Sequence, residues 1–147
     1  MNQTTALQVQ DLSFSYGDRK ALDAVSFEIP RGEIFGLLGP NGGGKTTLFR
    51  ILSTLLPPET GTAAVLGKDV VAAPLEVRKH IGVVFQNQSL DRRLSVEENL
   101  QYQGMLYGIR GQALKQRIKD AAERTGVADR LHDKVEELSG GLRQRVE

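Results

Sequence analysis

Apolar positions recur at two different periods along the chain. From the N-terminus the period is two. Leu7 and Val9 share one face of an extended segment, and Leu12, Phe14 and Tyr16 share one in the next. The phase slips by a residue around Gln10-Asp11, which predicts a bulge or a division into two short strands. Gly17-Asp18 reads as a turn, Val25, Phe27 and Ile29 alternate again, and Pro30-Arg31-Gly32 ends the run. These segments predict antiparallel strands with one covered face. Ile34 to Leu38 is almost continuously apolar, the pattern of a strand buried on both faces of a parallel sheet. A glycine-rich loop follows. Leu48, Ile51, Leu52 and Leu55 then recur at helical spacing up to Pro57-Pro58. Strand, glycine loop and helix open a βαβ unit, and Ile81-Gly82-Val83-Val84-Phe85 reads as a second apolar strand.

Beyond Gln86 the period becomes helical. Ser95 and Glu98 form a capping box ahead of a helix carrying Val96, Leu100 and Leu106. Leu114, Ile118 and Ala122 mark a second helix, and Leu131, Val135 and Leu138 a short third one. The chain therefore divides into an α/β core with antiparallel strands (residues 1–90), a helical insert (91–138) and a closing string that starts one more helix (139–147).

With 147 residues, 39% hydrophobic and 25% charged, the sequence is that of one globular domain with a real core. Nineteen Lys and Arg against 18 Asp and Glu leave a net charge of +1, so no broad positive field is present to hold nucleic acid. The absence of cysteine excludes disulfides, thiolate catalysis and Cys-based zinc sites, and suits a reducing cytosol. No signal peptide is expected at Met1 to Gln10, and no apolar run reaches the ~18 residues that span a bilayer. Work at a membrane would need another polypeptide to do the spanning.

Gly39-Pro40-Asn41-Gly42-Gly43-Gly44-Lys45-Thr46 fits the P-loop pattern G-x-x-x-x-G-K-[ST]. Glycines let successive N–H groups converge on an anion, and the following helix adds its positive end. Lys45 can reach β- and γ-phosphates, and the Thr46 hydroxyl can ligate Mg²⁺. A flexible glycine turn is the bland alternative, but the flanking strand and helix are the context the motif requires. The pattern does not separate ATP from GTP. Leu138-Ser139-Gly140-Gly141 is a serine N-cap and two glycines ahead of a helix at Leu142-Arg143-Gln144-Arg145, a second potential anion site. By itself it also fits an ordinary helix-linking turn.

The two strings together make the chain resemble the ABC ATPase family: an α/β P-loop NTPase core with N-terminal antiparallel strands and a helical insert. Leu138-Ser139-Gly140-Gly141 is similar to the family signature. Tyr16 stands where an A-loop aromatic stacks on adenine, and Gln86 where the Q-loop glutamine meets Mg²⁺ and the attacking water. Gln88-Ser89-Leu90-Asp91 and Leu94 to Leu100 look most like drug-resistance and polysaccharide exporters. The resemblance implies binding of ATP and Mg²⁺ by Tyr16, by Gly39, Pro40, Asn41, Gly42, Gly43, Gly44, Lys45, Thr46 and Thr47, and by Ser139, Gly140 and Gly141 acting on nucleotide held by a partner. Lys45 and Gln86 would be catalytic, with Thr46 and Gln86 at the metal. It further implies a second ATPase subunit docked head to tail, a separate transmembrane permease touching the helical insert, and a cytoplasmic place at the inner membrane face. Gly43, where relatives often carry Ser or Ala, is expected to loosen the loop slightly.

In that family a strand ending in the Walker B aspartate and the catalytic glutamate comes next, followed by the D-loop and switch histidine. No apolar run closing on Asp-Glu occurs in these 147 residues, and neither His80 nor His132 occupies the switch position. The chain as it stands is expected to come from a longer parent, to bind ATP weakly, to hydrolyse it poorly and to expose strand edges. A binding module without turnover and a soluble ABC ATPase acting on DNA or ribosomes are the rival readings. Near-neutral charge weighs against the latter.

Overall fold

The computed structural model describes residues 5–84 and 89–147. It divides into two compact units, Met1–Val83 and Val84–Glu147.

The first unit is built on an antiparallel sheet of order β2-β1-β3-β4. β1 (Thr5–Tyr16) and β2 (Arg19–Pro30) form a long hairpin around the Gly17-Asp18 turn, and Gly17 takes φ 57° there. The predicted phase slip is a bulge within one strand. The β1–β2 register shifts between Val9 and Leu12, and Asp11 turns to φ 47°. A facing irregularity at Ala24, φ 46°, accompanies it. Two serines tie the distortions across the hairpin. Asp11 N–H donates to Ser26 Oγ at 2.8 Å, and Ala24 N–H donates to Ser13 Oγ at 2.8 Å.

β3 (Thr60–Val65) and β4 (Lys68–Asp69) have no counterpart in the sequence reading. Their strands are short and their apolar content is mostly alanine, so the period-two signal is faint. Leu66-Gly67 closes this hairpin with positive φ at both residues, 49° and 75°, the pattern of a type I′ turn. α2 (Pro74–Arg78) was also unmarked, although its Val77 is fully buried.

α1 (Lys45–Leu52) buries Thr47, Leu48 and Ile51 in a core shared with Val9, Leu12, Leu22, Ala63, Val70 and Val77. The helix is shorter than its apolar spacing predicts, and Leu55 is exposed. Pro57-Pro58 is not the stop. Thr54 adopts φ 64°, its N–H bonds Ile51 O, and Leu55 N–H bonds Arg50 O, so the last carbonyls are capped three residues earlier. Arg78 fixes this cap, donating from Nε to Thr54 Oγ1 at 2.6 Å and from Nη2 to Thr54 O at 3.2 Å.

The apolar segment Ile34 to Leu38 corrects the expectation of a strand covered on both faces. It carries no strand assignment, and only one side of it is partly covered. Phe35 stacks on Phe27 at 5.4 Å and Leu37 packs on the core, whereas Ile34 and Leu38 are 103% and 93% exposed. A strand is defined by its ladder, and no ladder partner flanks this segment among the described residues. The described part of the second apolar run, residues 81–84, is likewise unassigned.

The second unit is helical. α3 (Val96–Leu106) begins at the predicted capping box: Glu98 N–H donates to Ser95 Oγ, and Ser95 N–H donates to the Glu98 carboxylate at 2.7 Å. The Ser95 backbone N–H, with the Ser95 side chain adding to it, holds the Glu98 carboxyl below its ordinary pKa. Val96 is fully buried but Leu106 is exposed, which removes it from the expected core. α4 (Gly111–Thr125) buries Leu114, Ile118 and Ala122 as its period predicts. The expected third helix is instead two single 3₁₀ turns, Ala128–Arg130 and Val135–Glu137. α5 (Gly140–Val146) closes the unit. No helix among the described residues is long and apolar enough to cross a membrane.

Leu66 lies outside the core cluster and holds a left-handed conformation that L-residues other than Asn, Asp and Gly resist. Leu66→Asn is expected to raise stability by roughly 0.5–1 kcal/mol, read as a higher urea midpoint at unchanged slope.

Candidate functional site

The glycine loop lies in the first unit between the Phe35-Leu37 anchor and α1. Its shape is set by two glycines that carry left-handed backbone, Gly42 at φ 78° and Gly44 at φ 80°. Gly44 is also pressed against β2, where a Cβ would lie 2.1 Å from Ala21 O and 2.9 Å from the Leu22 side chain. Any other residue fails there twice, by conformation and by contact. Gly43 is of another kind. Its N–H closes a turn on Pro40 O at 3.1 Å, its φ is ordinary, and a Cβ would press Pro40 O at 3.1 Å. The bare position therefore admits a tight turn on Pro40, and the expectation of a looser loop has no support in this geometry.

α1 starts at Lys45 with no side-chain cap. Leu48 N–H reaches Gly44 O at 2.9 Å, whereas Lys45, Thr46 and Thr47 N–H find no backbone acceptor among the described residues. A helix start thus presents unpaired donors and its positive dipole end directly after the glycine turn. The Lys45 ammonium folds back over the loop and donates to Gly39 O and Pro40 O, each at 2.7 Å. Thr46 is exposed, Thr47 is buried, and Gly39 through Gly43 are open to solvent. Backbone donors and an ammonium meet here beside an exposed threonine, which is the composition of a polyphosphate and hard-cation site. Its residues fit Mg-ATP on the donor set they present.

Tyr16 ends β1 and is 47% exposed, with its ring edge-on to Phe14 at 4.9 Å. The Thr47 hydroxyl beside its phenol lowers the Tyr16 pKa from the ordinary tyrosine value. Partial desolvation opposes that shift, and Arg50 adds to it. The aromatic named from sequence and the first turns of α1 are therefore neighbours. Two further groups here escaped the sequence reading. Arg50 sits three residues beyond Thr47 on the same helix face, a spacing that could have flagged it. Arg19 pairs with Tyr16 across the hairpin turn and donates from Nη2 to Gly42 O at 3.5 Å. Its position opposite the aromatic was the available signal.

In the second unit, Ser139 caps α5: its Oγ accepts from Leu142 N–H at 3.3 Å, and its carbonyl accepts from Arg143 N–H at 2.9 Å. The helix begins at Gly140, two residues before the predicted start at Leu142, so both glycines lie in the first turn. Neither has positive φ, and a Cβ on either would meet nothing within 4 Å. Local folding does not require glycine at either place. Glu147, just after α5, accepts from Ser89 N–H at 3.0 Å and Ser89 Oγ at 2.7 Å and so ties the two segments together. Gln86, named above for metal and catalysis, lies outside the described residues. No group of three or more His, Asp or Glu residues able to hold a metal occurs among the described residues.

A family model described as "ABC transporter" matches residues 22–147. The daunorubicin resistance ATP-binding protein DrrA3 of Streptomyces coeruleorubidus is 41% identical over 97% of this chain and 45% of its own length. The Nod factor export ATP-binding protein I of Sinorhizobium fredii is 40% identical over 96% of this chain and 41% of its own. The chain spans about half the length of the curated relatives it matches. Among solved structures, cbiO1 from Clostridium perfringens, part of the ABC transporter complex cbiONQ, superposes with a TM-score of 0.85. It is 29% identical, covering 97% of this chain and 59% of that one.

Gly44→Ala is expected to cost about 2 kcal/mol or more of stability through backbone strain and collision with Ala21 O. It should also abolish saturable Mg-ATP binding. Thermal melts and calorimetric titration measure the two effects.

Proposed function

The chain belongs to the ABC transporter family, and on that premise we propose that it is the nucleotide-gripping part of an ATP-binding subunit that powers export through a separate membrane protein. The observation that carries this reading is the left-handed turn at Gly44. It delivers Lys45 and the open amides of α1 to one place. In this reading the amides of the loop and of Lys45, Thr46 and Thr47 bind the phosphates, and the Lys45 ammonium leaves Gly39 O and Pro40 O for the terminal phosphate oxygens. The Thr46 hydroxyl would ligate Mg²⁺, and Tyr16 would stack on the adenine. Mg-ATP supplies the phosphoanhydride whose hydrolysis drives the cycle.

Ser139, Gly140 and Gly141 are assigned to nucleotide held by a second ATPase subunit in a head-to-tail pair. The support is physical. Two glycines that the local fold does not demand leave room for something to approach the capped start of α5 closely. The names of the drug-resistance and Nod factor export relatives favour export as the direction. Gln86 is retained as a proposed metal and water contact. The protein then works at the cytoplasmic face of the membrane, with the helical unit facing the permease.

Phosphoryl transfer needs a metal-binding carboxylate and a group that orients water. Residues 1–147 alone are proposed to bind nucleotide weakly and turn it over poorly. Lys45→Ala in the full-length protein is expected to weaken Mg-ATP by at least about thirtyfold, roughly 2 kcal/mol, and to abolish turnover. Unchanged affinity would remove the phosphate-loop reading. Steady Lys45-dependent turnover by residues 1–147 alone would refute the proposed poor turnover.

A further inference from the structure

We propose that Arg19 is a second cation of the phosphate site, binding the polyphosphate of the nucleotide alongside Lys45. The inference rests on the phosphate-loop reading and extends it to a residue outside the motif.

Arg19 opens β2 and is the Cα partner of Tyr16 across the two-residue Gly17-Asp18 turn. Directly opposed residues of an antiparallel pair project to the same face of the sheet. The end of the hairpin therefore raises an aromatic ring and a guanidinium side by side. The guanidinium reaches the loop at Gly42, and the Thr47 hydroxyl at the start of α1 lowers the Tyr16 pKa. The contact is close: Nη2 lies 2.7 Å from where a Gly42 Cβ would stand, so a side chain at Gly42 would displace it.

What Arg19 does with its donors is informative. A guanidinium carries five N–H groups in a planar fork suited to paired anionic oxygens. Among the described residues Arg19 makes one side-chain hydrogen bond, to Gly42 O at the long distance of 3.5 Å. No carboxylate lies within 4.0 Å of it there, unlike Lys20, whose ammonium is paired with Asp23 at 2.8 Å. A cation with an uncommitted fork is thus held over a loop whose amides converge on an anion, next to the aromatic that takes the base. The bond to Gly42 O steers the fork, and the remaining N–H groups are available to non-bridging phosphate oxygens.

The test is calorimetric titration of the full-length protein with Mg-ATP, Mg-ADP and adenosine at about 50 and 300 mM salt, comparing wild type, Arg19→Gln, Arg19→Lys and Lys45→Ala. Thermal melts serve as a folding control. Arg19→Gln is expected to weaken Mg-ATP and Mg-ADP about tenfold at low salt and to leave adenosine within about twofold. Arg19→Lys, which keeps the charge but not the planar fork, should recover part of the loss, and the gap between wild type and Arg19→Gln should narrow at high salt as screening shortens the reach of the charge. Unchanged Mg-ATP affinity in Arg19→Gln beside a loss in Lys45→Ala would overturn this inference and leave the phosphate loop standing. Equal, salt-independent losses in Arg19→Gln and Arg19→Lys would also overturn it, showing a packing role only. Unchanged affinity in both Arg19→Gln and Lys45→Ala would remove the two readings together.

Discussion

The site depends on a contact that leaves no room for a single carbon atom. Gly44 passes Ala21 O so closely that a Cβ could not fit, and its left-handed backbone turns the chain from loop into helix at that point. Everything chemical in the first unit follows from this turn. α1 starts one residue later, its first amides stay unpaired, and Lys45 can curl back onto Gly39 and Pro40. The sheet is thus part of the site, because β2 supplies the surface that forces position 44 to be glycine.

The helical unit solves a different problem. Its chain between residues 89 and 95 has little regular structure, yet its polar groups are widely satisfied. Asn99 bonds Asp91 N–H and the carbonyls of Asp91 and Ser95. The N–H groups of Val96 and Glu97, at the start of α3, donate to the carbonyls of Asp133 and Leu131. Ser89 is held by Glu147. A loop fastened this way costs little further ordering when something docks on it.

Much of this was legible from sequence where a local rule operated. The capping box at Ser95 and Glu98, the three-point stripe of α4, the bulge near Asp11 and the serine cap at Ser139 each follow from residues a few positions apart. The misses share a cause: they needed information from distant chain. The stop at Thr54 depends on Arg78, the covering of Ile34 to Leu38 depends on what lies beside them, and β3 becomes a strand because β1 offers it a ladder. At the site, the loop and Tyr16 could be named from their own residues, whereas Arg19 could be flagged only by its place opposite Tyr16. Its proximity to Gly42 arises only when the hairpin folds against the loop.

The paired serines of the long hairpin have a further effect. Ser13 and Ser26 each occupy a backbone N–H left over by the distortion opposite, so the two strands are pinned at one alignment. Sliding β1 by a single position would break both bonds and turn Tyr16 and Arg19 to opposite sides of the ribbon. The hairpin therefore acts as a ruler: it tolerates exchange of many side chains, but an inserted or deleted residue between Asp11 and Ala24 would throw the aromatic and the guanidinium out of alignment with the helix they serve.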